Sequence, residues 1–282
     1  MTRGASLTGE TAGKRRRSAA GPVAVRPRGE RTDKKSEKIG LGVGMVVLLL
    51  AVWEILAALR VEPPILLPGP ADVASAFHSM FSSSSIWTDL RVSGEEFLYG
   101  YLLAAAVGIV FGVLIGWYSR VGYMLDPLVN FMYSVPRVAL SPLLLIWLGI
   151  GLTSKIALVF LVAVFPVLIN TSSGVRNLDS QLLRVARCFG AGDLQIFRTV
   201  ALPASVPFIL SGLRLAVGQA IIGVFVAELV GAQRGIGQLM NNAGEQFQTS
   251  TVFVGLIIFA VAGVLFTGLV RAVERHFDAW RA

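Results

Sequence analysis

The chain of 282 residues has a single cysteine, Cys188, and two histidines, His78 and His276. One cysteine permits no disulfide within the chain, and there is no cluster of cysteine and histidine to ligate zinc, haem or an iron–sulfur centre. The phosphate-binding pattern G-x-x-x-x-G-K-[ST] is also missing, since Gly13-Lys14 stands without the rest of it. We therefore expect this chain to bind no metal or cofactor, and any ATP and magnesium to sit on a partner.

Charged residues are scarce as well, at 15% of the chain. From residue 39 onward the sequence is dominated by apolar runs of about 20 residues, the length at which a helix crosses a bilayer. The runs are continuous and do not alternate, which excludes the pattern of a membrane β-barrel. The sequence predicts an all-α polytopic membrane protein, and without a catalytic cluster at membrane depth we do not expect an enzyme.

Six spans are predicted, at residues 39–59, 97–117, 124–150, 154–172, 207–230 and 252–270. With the N-terminus in the cytoplasm, 20 of the 25 Lys and Arg fall on cytoplasmic segments, among them Arg120 and Arg137. The positive-inside rule favours this orientation. We therefore expect a multi-pass protein of the plasma (inner) membrane with both termini in the cytoplasm.

Residues 1–38 carry eleven Lys and Arg and no aromatic residue. Such a segment cannot bury a core, which predicts a disordered basic cytoplasmic tail ahead of a transmembrane domain at residues 39–282. Lacking a small-residue cleavage site, the segment does not match a signal peptide. We expect the tail to lie near anionic membrane lipid and not to bind nucleic acid.

The loops that this orientation places outside contain short helices. In the first loop, Asp72 is placed to cap an amphipathic helix that bears Val73, Phe77 and Phe81. In the second, residues 236–240 have helical character.

The second span has a small residue at every fourth position: Gly100, Ala104, Gly108, Gly112 and Gly116. These fall on one helix face, where a neighbouring helix can approach closely. The neighbour is either another helix of the same subunit, which we expect first, or a second subunit.

The third span is interrupted by Pro127, Pro136 and Pro142, each of which removes a backbone donor and kinks or breaks a helix. Broken helices at membrane depth line transport pathways, although a helix that enters obliquely from the interface gives the same pattern. The candidate pathway residues are Pro136, Ser141, Pro142, Trp147, Pro166, Asn170 and Glu228.

Three charged residues stand in or near the spans. Arg214 is placed to reach the cytoplasmic face, and Glu228 either ends the fifth span or lines an outer gate. Glu54 is expected to face protein or the interface. No relay of Asp, Glu and His crosses the bilayer, which counts against the alternative of an ion-coupled secondary carrier acting without an ATPase.

The polar stretch RVARCFGAGDLQIFRTVALP, residues 184–203, resembles the cytoplasmic EAA loop of ABC-importer permeases, E-A-A-x-x-x-G-x9-I-x-L-P. Val185 and Val200 replace two motif residues, and Arg184 stands where the family has Glu. The remaining matches are Ala186, Gly190, Leu202 and Pro203.

Four further segments are similar to the nitrate/sulfonate/taurine branch of that family: LLPGPADV from residue 66, SVPRVALSPLLLIWLGIG from 134, FVAELVGAQRGIGQLM from 225, and the closing VERHFDAWR. The resemblance covers residues 40–282. It implies a type I (MetI-like) permease fold, a permease homodimer, two copies of a separate ABC ATPase and an extracytoplasmic substrate-binding protein. It also implies inward transport by alternating access.

Within this resemblance, residues 176–203 form the coupling loop, in which a helix at 182–189 and a turn at 190–192 enter a groove of the ATPase. Asp193 is expected to cap a second helix, 194–199. Arg184 either meets a carboxylate of the partner or faces solvent. The expected ATPase-coupling residues are Arg184, Ala186, Phe189, Gly190, Ala191, Asp193, Leu194 and Pro203.

The branch also implies a small, mostly anionic solute. We expect an alkanesulfonate or taurine first, with nitrate, bicarbonate or a vitamin precursor as alternatives.

Overall fold

All regular elements in the part of the chain that the computed structural model describes, residues 30–59, 62–63 and 65–278, are helical. The helices are α1 (Glu30–Ala58), α2 (Pro70–Phe81), α3 (Ser85–Trp117), α4 (Ser119–Ser134), α5 (Ser141–Leu148), α6 (Leu152–Arg176), α7 (Ser180–Cys188), α8 (Asp193–Ile196), α9 (Leu202–Leu229), α10 (Ile236–Glu245) and α11 (Thr249–Asp278).

The six predicted spans are confirmed when the bent pair α4–α5 is taken as one. Five helices are each long and apolar enough to cross a bilayer, and the segments 119–134 and 137–148 form a sixth span that bends by 82°. Helix α3 begins at Ser85 instead of residue 97 and has 33 residues. Its first turns are polar because side chains such as Asp89 and Glu96 are buried against protein instead of lipid.

Among the described residues, those up to residue 51 and those from residue 52 onward form two separate units. In the first, α1 begins at Glu30, so residues 30–38 of the predicted disordered tail are helical. The prediction for residues 1–29 falls outside the described residues. From Leu41 to Leu50 the large apolar side chains of α1 are exposed, as the lipid-facing surface of a span requires.

Helix α6 is the central helix of the second unit, and α3 packs along one of its sides. A Cβ added at Gly108 would lie 2.8 Å from Val167 Cβ, and one added at Gly112 would lie 2.6 Å from Thr171 Cβ. Gly100 and Gly116 make the same approach to Val159 and Val175. The small-residue face of α3 thus lies against α6 of the same subunit. Each glycine of this face contacts the residue of α6 that lies 59 positions later in the sequence.

Helix α9 packs on another side of α6 with comparable closeness. A Cβ on Gly212 would lie 3.0 Å from the carbonyl oxygen of Pro166, and one on Gly223 would lie 3.0 Å from Val159 Cα. In the core between these three helices, Phe97, Val167 and Val224 are buried. Because backbones approach this closely on both sides, α6 has little freedom to shift without its neighbours.

The broken span departs from the prediction in where it breaks. Pro127 lies inside α4, which continues past it, and the chain leaves the helix at Val135 and Pro136. A 3₁₀ turn, Arg137–Leu140, leads into α5, which ends at Leu148. Helix α5 therefore has eight residues and is about 12 Å long, too short to cross a bilayer alone.

Two ends of the bundle can be distinguished by their short helices. At one end, which we call the α10 end, α2 and α10 pack on the outer turns of α3 and α11. Gly69 is the N-cap of α2, so the N-cap role predicted for Asp72 is wrong. Asp72 is the third residue of the helix, and its carboxylate accepts a hydrogen bond from the Gly69 N–H at 3.0 Å. At the other end, the α7 end, α7 and α8 form the loop between α6 and α9, and Phe197 packs edge-on against Trp117 at 5.1 Å.

Candidate functional site: a cavity at the helix break and a polar cluster

A cavity of about 210 Å³ opens where the broken span meets α6 and α9. Its walls are partly apolar, from Pro166, Ile169 and Leu215, and partly polar. The polar lining residues are Tyr133, Arg137, Asn170 and Gln219.

Arg137 is the charged residue of this cavity. Its guanidinium lies over the ring of Tyr133, 4.9 Å from the ring centroid, and over that of Phe165 at 5.3 Å. Nη1 is buried and has no hydrogen-bond partner, and none of the ion pairs between described residues involves Arg137. Aromatic faces stabilise the cation, yet they leave its donors unsatisfied.

The cavity lies near the middle of the long helices that surround it. Pro166 is 14 residues after the start of α6 and 10 before its end, about 21 and 15 Å along the axis. Gln219 is similarly placed on α9, 17 residues after Leu202 and 10 before Leu229. Arg137 was counted in the sequence among the cytoplasmic cations, whereas the structure brings its guanidinium over Phe165 of α6 and into the lining of this cavity.

The candidate pathway residues lie in three different surroundings. Pro166 and Asn170 line the cavity, where the Asn170 amide donates to the Pro166 carbonyl at 2.8 Å. Pro136 and Pro142 are exposed around the break, and Ser141 is buried there. Trp147 is exposed on α5, and Glu228 lies in a separate buried cluster at the α10 end. A pathway role for each of them stays a prediction.

That buried cluster joins α3, α6, α9 and α10. Lys155 Nζ donates to Glu96 Oε1 at 2.7 Å, and the Ser93 hydroxyl donates to Glu228 Oε1 at 2.5 Å. Both members of the Lys155–Glu96 ion pair are buried, with 8% and 0% of the side chain exposed. Separating α3 from α6 at this point would leave two buried charges without partners, which is costly, so the ion pair opposes that separation.

The N-terminus of α10 is closed by this cluster. The N–H groups of Gly235, Ile236 and Gly237 donate to Asp89, Ser93 and Glu228 at 3.1, 2.9 and 2.5 Å. These are backbone donors that a helix leaves free at its start, so side chains of α3 and α9 cap α10.

Two glycines at the start of α10, the N-cap Gly235 and Gly237 in the first turn, have no room for a side chain. The Glu228 carboxylate occupies the space that a Cβ would need at Gly235, where φ is +126°, and lies 2.9 Å from a Cβ placed on Gly237. This explains the spacing between Glu228 and the G-x-G that follows it.

Several of these polar residues were missed in the sequence. Lys155 was passed over inside the fourth span, and Glu96 and Ser93 were assigned to a loop. No sequence signal identified them: Glu96 and Lys155 share the 59-residue separation of Gly100 from Val159 and of Gly116 from Val175, but only the packing of α3 on α6 shows that register. The guanidinium of Arg214 pairs with Glu274 near the end of α11 at 3.2 Å, and its reach to the cytoplasmic face stays a prediction.

The loop at the α7 end begins with a helix that is capped at both ends. Asp179 accepts a hydrogen bond from the Gln181 N–H at 2.7 Å and caps the start of α7. At its end, the Gly190 N–H donates to the Arg187 carbonyl and the Ala191 N–H to the Ala186 carbonyl, at 2.9 and 3.1 Å. This is a Schellman C-cap, in which the residue after the helix adopts φ > 0, and Gly190 has φ +79°. The spacing of Ala186 and Gly190 follows from that geometry.

In the remainder of the loop, the residue that caps the start of α8 differs from the prediction. Gly192 is the N-cap of α8 and Asp193 is its first residue, so Asp193 does not cap the helix. Helix α8 then runs through a π-helical turn, Phe197–Ala201, into α9, and Pro203 lies in the first turn of α9. Arg184 is exposed and takes part in none of the ion pairs between described residues.

Several large apolar side chains of this loop are exposed on the surface of the subunit. Phe189 is 87% exposed and Leu194 is 63% exposed, with Leu182 and Val185 also exposed. Large apolar side chains grouped on a polar loop mark a surface that a partner covers.

Comparison with known proteins identifies the family. A family model described as the binding-protein-dependent transport system inner membrane component matches residues 108–279. The putative aliphatic sulfonates transport permease protein SsuC of Bacillus subtilis (strain 168) is 38% identical over 240 residues, covering 85% of this chain and 87% of that protein. The chain belongs to the binding-protein-dependent transport system inner membrane component family.

Two further similarities agree with this membership. The taurine transport system permease protein TauC of Escherichia coli (strain K12) is 32% identical over 250 residues, 87% of this chain and 91% of that one. A structure of the MetNI methionine ABC transporter in an inward-facing conformation superposes with a TM-score of 0.54 at 20% identity, covering 67% of this chain and 95% of that chain. An identity this low shows the fold alone, which is the predicted type I permease fold.

The predicted fold and function class are therefore confirmed. The chain is the permease subunit of an ABC importer and not an enzyme, and the alternative of a secondary carrier is set aside. Family membership implies a multi-pass protein of the inner membrane that works with an ATPase and a substrate-binding protein. Among the described residues no three His, Cys, Asp or Glu are close enough to hold a metal ion.

Proposed function

We propose that this permease moves a small anionic solute inward as a homodimer, driven by two ATPase subunits that dock on the loop at the α7 end. An aliphatic sulfonate or taurine is the first choice of solute, supported by the names of the two similar permeases. Nitrate, bicarbonate and a vitamin precursor are the alternatives.

The orientation of the chain forms part of the proposal. With Arg137 removed from the count of cytoplasmic cations, 19 of the 25 Lys and Arg still fall on the side of the termini and of α7. The positive-inside rule then favours a cytoplasmic α7 end with both termini on that side. The α10 end faces outward, where a polar pocket of about 290 Å³ that includes Ser85, Asp89 and Arg234 offers a surface for the binding protein.

The exposed apolar surface of the loop is the observation that carries the docking site. Phe189 follows α7 directly and Leu194 lies in the first turn of α8, so the Schellman turn holds both on one short rigid segment. An aromatic anchor presented by a rigid segment is typical of the centre of a protein interface.

Replacing Phe189 with alanine tests the docking surface. We expect Phe189→Ala to weaken association with the cognate ATPase by about 2 kcal/mol, or roughly 30-fold, as for a buried aromatic anchor. The measurement is the dissociation constant between purified permease and ATPase in detergent. The matched control is Phe247→Ala, which truncates a phenylalanine that is 64% exposed at the α10 end. Loss of ATPase binding in the control, with none in Phe189→Ala, would reverse the proposed orientation.

The turn at Gly190 gives a second test, of coupling. Gly190 and Gly192 both have open space where a Cβ would stand, but Gly190 has φ +79° and Gly192 has φ −75°. We expect Gly190→Thr to strain the turn by about 1–2 kcal/mol and to lower the number of solute molecules moved per ATP several-fold. Gly192→Thr should transport normally, because threonine is a good N-cap. Equal coupling in the two variants would contradict the role of the turn.

Uptake into proteoliposomes that contain the permease, its ATPase and its binding protein tests the solute. We expect radiolabelled taurine or ethanesulfonate to accumulate only with ATP, and not with an ATPase whose hydrolysis is abolished. If nitrate or bicarbonate accumulates instead, the sulfonate assignment fails while the transport proposal stands.

A further inference from the structure

We infer that the cavity at the helix break is a binding site for the anionic group of the transported solute, with Arg137 as its charged ligand. The inference rests on the proposed function, because it assumes an anionic solute. It assigns the recognition of that anion to residues of the permease itself, in addition to the binding protein.

The unsatisfied guanidinium is the first argument for this site. A charged side chain near the middle of membrane-spanning helices is costly and is normally paired with another charge or with backbone carbonyls. Arg137 is half-buried between two aromatic faces, its Nη1 is buried without a partner, and no carboxylate of a described residue lies within 4.0 Å of it. A bound anion would supply the missing acceptor.

The chemistry of the cavity walls is the second argument. Beside Arg137, the polar lining consists of the Tyr133 hydroxyl and the side-chain amides of Asn170 and Gln219. The Asn170 amide already donates to the Pro166 carbonyl, which leaves one N–H free. Neutral donors around one cation, with no carboxylate in the lining, favour an anion and disfavour a cation.

The apolar part of the lining and the volume set the size of the ligand. Pro166, Ile169 and Leu215 line the same cavity, whose volume of about 210 Å³ leaves room for a small molecule. This fits a small molecule with a charged head and a short apolar body, such as a two-carbon sulfonate.

The position of the cavity agrees with transport. The site is formed where a discontinuous span meets two continuous helices, about halfway along both. Transporters place their solute sites at such breaks, near the bilayer midplane. The mid-helix depth also separates this site from lipid phosphate, which lies at the membrane surface.

The test uses the purified full-length permease in maltoside micelles, with lactobionate as a bulky background anion. Ethanesulfonate and the neutral ethyl methyl sulfone are titrated separately, and binding is followed by the shift in thermal unfolding temperature. We expect ethanesulfonate to raise the unfolding temperature in a saturable way and the sulfone to leave it unchanged. Arg137→Gln should raise the apparent dissociation constant for ethanesulfonate about 10- to 100-fold.

Two further variants support the interpretation. Arg214→Gln removes another arginine of the bundle, one that is paired with Glu274, and should bind ethanesulfonate like the wild type. Gln219→Leu removes one neutral donor and should weaken binding about 3- to 10-fold, which keeps the test decisive if Arg137→Gln does not fold.

Three results would overturn the inference: equal effects of ethanesulfonate and the sulfone, unchanged binding in Arg137→Gln or Gln219→Leu, or displacement of ethanesulfonate by added phosphatidylglycerol, which would reassign the site to a lipid headgroup. None of them depends on uptake, so failure of this site is distinguishable from failure of the proposed transport function.

Discussion

Replacing Lys155 with methionine should lower the free energy of unfolding of the permease by about 3–5 kcal/mol, the cost of leaving a buried charge without its partner. Lys155 is the sole cation within 4.0 Å of Glu96 among the described residues, and Glu96 Oε2 already lacks a hydrogen-bond partner. The Glu228 carboxylate belongs to the same buried cluster. The measurement is the unfolding transition in detergent, followed by thermal and denaturant titration.

The neighbouring turn of α3 provides the matched control. Arg91→Met breaks an ion pair with Glu95 at 2.8 Å, close to the 2.7 Å of the buried pair, but this pair lies at the surface, with 79% and 37% of the side chains exposed. An exposed pair of this kind contributes about 0.5 kcal/mol or less. The double variant Glu96→Leu/Lys155→Met should recover most of the lost stability, since neither member of the pair is left buried without its partner. Equal stability of Lys155→Met and Arg91→Met would show that the buried pair contributes nothing.

Valine at Gly112 should be about as damaging, for a steric reason. The first side-chain atom would lie 2.6 Å from Thr171 Cβ and 2.8 Å from the Leu168 carbonyl oxygen, closer than any Cβ normally stands. Because the obstacle includes backbone, α3 and α6 must separate along their contact. We expect a loss of about 3 kcal/mol, with a lower unfolding temperature.

Gly94 on the same helix tests whether contact with α6 is the cause. A Cβ at Gly94 meets nothing within 4 Å. Gly94→Val should therefore change the free energy of unfolding by about 0.5 kcal/mol or less. A loss in Gly94→Val as large as that in Gly112→Val would show that close contact with α6 is not the cause, since valine is a better helix former than glycine.

Local features of the fold could be predicted because each depends on residues close together in the chain. The six spans follow from continuous apolar runs, and the Schellman turn follows from Ala186 and Gly190 four residues apart. The periodic glycines of α3 likewise indicated a face for close packing. The start of α3 was predicted at residue 97 instead of Ser85 because its first turns are polar. These turns are buried against protein, whereas a prediction from hydropathy assigns polar residues to a loop.

The candidate sites depended more heavily on tertiary structure. The exposed loop could be located from its motif, whereas Asp193 was given a capping role that Gly192 has. The surroundings of Arg137 and Lys155 could not be predicted from the sequence, because each residue contacts side chains that lie on other helices.

The sequence by itself determined that this protein is a helical membrane permease. Apolar length and short motifs are properties of the linear chain, and each has a direct physical consequence. The tertiary structure alone decided which charged residues share a buried surrounding. Glu96 and Lys155 are 59 residues apart and meet because α3 and α6 pack along their glycine face, while Arg137 is turned into the bundle by the break at Pro136.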